Sequence, residues 1–147
     1  MKNLGFVFPG QGSQKVGMLA DLASSFSLVE ETFSEASAAL GEDLWQIVQL
    51  DEQQKLNQTD ITQPALLAAS VAIWRVWQSL DGPQAAILAG HSLGEYSALV
   101  CSGVLPFADA VQLVHQRGRF MQSAVSAGSG KMAAIVGLDD EKIALLC

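Results

Sequence analysis

The chain has 147 residues, half of them hydrophobic, with 8 basic and 15 acidic residues and a net charge of −7. That length fits one domain able to bury a sizeable core, and the acidic balance excludes nucleic acid as a partner, since phosphate binding needs clustered Lys and Arg. Sparse charge and a positive mean hydropathy suit an α/β domain whose central elements are covered on both faces.

"LGFVF" (4–8) predicts a short buried strand, stopped by the turn "PGQGSQ". Ser27 and Glu30 form a capping-box pattern that opens a helix through Leu40, with Gly41 as its stop. Residues 42–60 read as a short helix and a polar connection. Pro64 has the place of a first-turn proline for "PALLAASVAIWRVWQSL", a helix apolar nearly all round and so buried against more than one neighbour. "DGP" (81–83) breaks it. "AAILAG" (85–90) is the next strand, "LGEYSALVCSG" (93–103) the helix after it, and a further helix runs from about Pro106 to Val125. "SAGSG" (126–130) is a link, "KMAAIVG" (131–137) a strand, and "LDDEKIALLC" a helix capped by Asp139. A strand and two turns of helix cannot bury a core of their own, so residues from about 130 read as the start of a second unit, and the sequence as a fragment.

The charge is uneven: residues 1–110 carry −8 and residues 111–147 carry +1, so an anionic ligand is expected nearer the C-terminal part, with Lys131 a candidate contact. Cys101 and Cys147 show no metal spacing and do not make a disulfide framework. Cys101 is expected to be a buried, inert thiol. No signal peptide or membrane span is legible, and the expected compartment is the cytoplasm.

Gly90-His91-Ser92-Leu93-Gly94 fits G-x-S-x-G between a strand and a helix. A serine there sits on a strained turn that only small neighbours permit, and the Leu93 amide falls at a helix N-terminus where it can stabilise an oxyanion. A glycine-bounded turn with a serine N-cap is the plainer alternative. His91 is a poor base, because adjacent residues on a tight turn point apart. His115 lies on the polar arc of its helix and reads as solvated. "FPGQGSQ" (8–14) lacks the G-K-[ST] of a phosphate loop. Its two glycines allow close backbone approach around Gln11.

At 100° per residue, Phe107, Ala110, Val111, Leu113, Val114, Phe120, Met121 and Ala124 share one apolar arc, and Arg117 falls inside it. A guanidinium there must meet a carboxylate or line a cavity. An internal salt bridge, for instance with Glu95, and bidentate capture of a substrate carboxylate both satisfy that demand, and periodicity does not choose between them.

"FVFPGQGSQKVGM", "TQPALLAAS", "GHSLGEYSALV", "QRGRFMQ" and "GKMAAIVG" occur in this order, and the whole chain resembles bacterial malonyl-CoA:acyl carrier protein transacylases. Acyltransferase domains of polyketide and fatty acid synthases share shorter versions of these blocks. The resemblance implies an α/β-hydrolase-like acyltransferase fold, with residues 1–127 the first part of a large subdomain and 128–147 a linker and the start of a ferredoxin-like one. It implies ping-pong transfer in fatty acid biosynthesis, in which Ser92 takes the malonyl group from malonyl-CoA and passes it to the phosphopantetheine thiol of acyl carrier protein. Gln11 and Leu93 match the oxyanion-hole amides, Arg117 the arginine on the malonyl carboxylate, and Met121 a residue packing beside the acyl group. Gln63 matches a position near the site. No cofactor or metal is implied, malonyl-CoA being a substrate. The family's catalytic histidine lies beyond Cys147, so a C-terminal complement is the expected partner and the isolated chain is expected to be inactive. A serine esterase is the other enzyme reading, and Arg117 counts against it.

Overall fold

Two short strands, β1 (Gly5–Phe8) and β2 (Ile87–Gly90), run parallel, pairing Gly5 with Ile87 through Phe8 with Gly90. The computed structural model describes residues 4–124 and 136–146. Between the strands come α1 (Ala20–Ser25), α2 (Leu28–Leu40), α3 (Leu44–Leu50) and α4 (Thr59–Ser79). After β2 follow α5 (Leu93–Cys101), α6 (Phe107–Ser123) and α7 (Asp140–Leu146). Asp139 caps α7, as expected, by accepting from Lys142 N–H at 3.0 Å. The expected link at 126–130, most of the strand at 131–137 and the expected subdomain boundary at 127/128 lie outside the described residues.

Helix α4 is the hub. Every residue from Ile61 to Ala72 is buried, and α2, α5 and α6 pack around it, as its all-round apolar character demands. Phe33 of α2 is fully buried and meets Trp45 at 4.9 Å between ring centroids. Burying such a ring stabilises the fold by about 1.5–3 kcal/mol. Strand β1 docks on α4 through Phe6, whose ring lies 5.0 Å from Trp74 and 5.4 Å from Trp77.

Several sequence expectations are corrected. Pro64 is not in a first turn: α4 begins at Thr59, because the Gln58 carbonyl already accepts from Ile61 and Thr62 N–H, and Pro64 stands inside the helix. The capping box at Ser27 does not form. Ser27 itself has helical backbone angles and its side chain bonds no amide, while Gly41 (φ 80°) ends α2 as expected. Helix α1 has no counterpart in the sequence reading. Nor is the sheet covered on both faces among the described residues. Phe8 is buried, but Val7 is 81% exposed and Ile87 66%.

The arc on α6 is narrower than periodicity suggests. Phe107, Ala110, Val111, Val114 and Gly118 are buried, while Leu113 and Phe120 lie open to solvent. Gly118 explains the narrowing. A methyl added there would lie 2.5 Å from the Asp60 Cα, so the backbones of α6 and α4 touch and only side chains flanking that line enter the interface. Arg117 is one of them.

Candidate active site

Strand β2 delivers Gly90, α5 starts at Leu93, and His91-Ser92 make the corner between them. Ser92 has φ 55° and ψ −109°, left-handed backbone that a non-glycine residue adopts at a cost of about 1–3 kcal/mol. The glycines make the corner possible. A Cβ on Gly90 would lie 2.0 Å from the Gly94 carbonyl carbon, and one on Gly94 would lie 2.1 Å from the Phe8 carbonyl oxygen. Gly94 N–H donates to the His91 carbonyl at 2.9 Å and Glu95 N–H to that of Ser92 at 3.3 Å. The Leu93 N–H, first in the helix, has no acceptor among the described residues.

The loop after β1 presses on this corner, for a Cβ on Gly10 would lie 3.1 Å from the His91 carbonyl oxygen. Side chains fix the loop to the segment before α4. Gln11 Nε2 donates to Thr59 Oγ1 at 3.2 Å, and Gln14 Nε2 to Asn57 Oδ1 at 2.9 Å. Gln14 Oε1 accepts from Gly12 N–H at 2.8 Å. The Gln11 N–H, like that of Leu93, meets no acceptor among the described residues.

Arg117 completes the constellation. Its Nη2 donates to Ser92 Oγ at 2.9 Å and its Nη1 to Gln63 Oε1 at 2.8 Å, with the Tyr96 ring 5.6 Å away. Gln63 is fully buried and turns its Nε2 to Met121 Sδ at 3.2 Å. Ser92, Arg117, Gln63 and Met121 therefore form one continuous chain of contacts. The salt bridge with Glu95 is not formed. Glu95 is exposed, and Arg117 pairs with no carboxylate among the described residues.

His91 is exposed and makes no hydrogen bond to Ser92. His115 is not solvated as expected: it is half-buried, and its Nδ1 lies 2.9 Å from the Asp60 carbonyl. A carbonyl oxygen only accepts, so Nδ1 carries the proton. Cys101 is half-buried rather than fully buried, and burial pushes its thiol up to about 12 against a smaller opposing pull from Arg75. An inert thiol is what that predicts.

The model of the acyl transferase domain matches residues 5–147. The chain belongs to the acyl transferase domain family. A malonyl CoA-acyl carrier protein transacylase of Escherichia coli (strain K12) is 65% identical to this acyl transferase chain over 147 residues, which is all of it and 48% of the relative. The solved acyl carrier protein S-malonyltransferase of Vibrio cholerae O1 is 63% identical with a TM-score of 0.89, over 98% of this chain and 47% of that one. A malonyl-transacylase solved in complex with its type II PKS acyl-carrier protein is 60% identical with a TM-score of 0.91, over 97% and 46%. The chain thus spans about half the length of the curated relatives it matches. The likeness carries the expected α/β-hydrolase-like acyltransferase fold with it.

Some residues of this acyl transferase chain escaped the sequence reading. Thr59 and Asn57 anchor the glutamine loop from 43 to 48 positions away, and a polar connection carries no signal of that kind. Arg75 is a second half-buried arginine, held by Glu35 at 2.7 Å, by Thr32 Oγ1 at 3.1 Å and over the Phe107 ring at 4.9 Å. Its neutralisation is structural, and it marks Arg117 by contrast.

Proposed function

We propose that this chain supplies the nucleophile and acyl-binding residues of a malonyl-CoA:acyl carrier protein transacylase of fatty acid biosynthesis. The reading is carried by one observation. A guanidinium with no carboxylate partner among the described residues lies 2.9 Å from the hydroxyl of a serine on a strained elbow. An acyl group esterified to that hydroxyl brings a terminal carboxylate within reach of Arg117, whose planar fork suits it.

In the first half-reaction Ser92 Oγ attacks the thioester carbonyl of malonyl-CoA. The O–C bond forms, the Ser92 proton passes to a general base, and the negative charge gathers on the carbonyl oxygen between the Leu93 and Gln11 amides. The C–S bond then breaks, and CoA leaves with a proton. In the second, the carrier's phosphopantetheine thiol attacks the malonyl ester, the C–O bond breaks, and the proton returns to Ser92. The base is a histidine of a C-terminal complement, since neither His91 nor His115 bonds the Ser92 hydroxyl. Met121 packs beside the acyl chain. The reaction belongs in the cytoplasm. No described helix is long and apolar enough to cross a membrane.

Intact-mass spectrometry after brief exposure to malonyl-CoA tests this reading. With the complement present, a malonyl adduct should form on the chain, vanish in Ser92→Ala and discharge onto acyl carrier protein. The chain alone should turn over little or nothing. An adduct that survives in Ser92→Ala, or none with the complement present, sinks the assignment.

A further inference from the structure

Pro64, one residue after Gln63, has no N–H to give the carbonyl four positions back, which is that of Asp60. A side chain from another helix meets that carbonyl: His115 Nδ1, at 2.9 Å. Gly118, on the next turn of α6, brings the two backbones into contact at the same Asp60. Between His115 and Gly118 stands Arg117, whose Nη1 reaches Gln63 on α4. The tie at Asp60 and the tie at Gln63 therefore lie within one turn of each other on both helices.

We propose that His115 is a positioning residue for Arg117: by donating its Nδ1 proton to the Asp60 carbonyl that Pro64 cannot bond, it fixes the register of α6 on α4. The inference rests on the proposed reading for what Arg117 grips, but not for how it is held. Without the His115 bond, the polar ties left between α6 and α4 at this turn are the Arg117 fork and the Met121–Gln63 contact. The fork then loses its fixed angle between Gln63 and Ser92.

The test is a cycle of wild type, His115→Ala, Pro64→Ala and the double variant in the full chain, with His115→Asn, which sets an amide N–H where Nδ1 stands. One readout needs no catalysis: the NMR signals of the Arg117 guanidinium, assigned by their loss in Arg117→Lys. Separate Nη signals are expected in wild type and in His115→Asn, and averaged ones in His115→Ala and in the double variant. In the double variant the N–H gained at position 64 satisfies the Asp60 carbonyl within α4 but leaves α6 untied. The other readout, with the complement present, is the preference for malonyl over acetyl loading. It should fall about fivefold in His115→Ala and in the double variant, and return to within about twofold of wild type in His115→Asn.

Unchanged Arg117 signals in His115→Ala, or wild-type signals in the double variant, overturn the proposal. If the signals follow the cycle while no variant, wild type included, loads malonyl, the positioning role stands and the functional reading fails.

Discussion

Arg75 and Arg117 are both half-buried, and they differ in what they meet. Arg75 is matched by Glu35 and covers Phe107, whereas Arg117 has an amide oxygen, a hydroxyl and a ring face, none of which cancels its charge. A charged hydrogen-bond partner is worth about 1.5–3 kcal/mol, or roughly ten- to hundredfold in rate. Arg117→Ala is therefore expected to lower kcat/KM for malonyl loading by about that factor and to spare acetyl loading. Equal losses for both acyl groups would remove the carboxylate role. At this scale the sequence was informative in part. "GHSLG" marked Ser92, and helical period set Arg117 inward. The partner of Arg117 was illegible, because Ser92 and Gln63 lie 25 and 54 positions away and only the packed helices bring them together.

At the scale of elements, the close crossing of α6 over α4 depends on Gly118. A helical Gly→Ala exchange with room for the methyl gains roughly 0.5–1 kcal/mol. Here the methyl would enter the Asp60 backbone, and overpacking of that kind costs about 1–3 kcal/mol. Gly118→Ala should lower the midpoint of urea unfolding, and a raised midpoint would mean that the helices part freely. Where the sequence misled, a local pattern lost to packing. Ser27 and Glu30 have capping-box spacing, yet the turn from Phe26 to Val29 is already bonded, N–H to carbonyl at 3.1 Å, and leaves the serine no cap to make. Pro64 has first-turn chemistry, but α4 draws in five residues before it, and His115 meets the carbonyl that the proline strands. Helix α1 is six residues long and begins after a leucine at φ 65°, so it carries no start signal to find.

Across the whole molecule, the α/β class was legible, because two apolar runs ending in glycine-rich turns are separated by helices. Coverage of the sheet was not, since an apolar strand reads alike whether one face or both are packed. The pairing of β1 with β2 has a kinetic side. Its partners lie about 80 positions apart, so the sheet closes a long loop, whereas α2 and α3 meet through neighbours in sequence. Trp45, on Phe33, reports the helical part, and Trp74 and Trp77, on Phe6, report the arrival of β1. In refolding, the emission of a variant retaining only Trp45 should settle before that of a variant retaining only Trp74; simultaneous settling would contradict this order. The Phe8 carbonyl packs against Gly94, two residues after Ser92, and that approach belongs to the late step. A chain halted with its helices built and its sheet still open would hold the serine elbow without the strand that packs against it, which makes the finished site a product of the last event in folding.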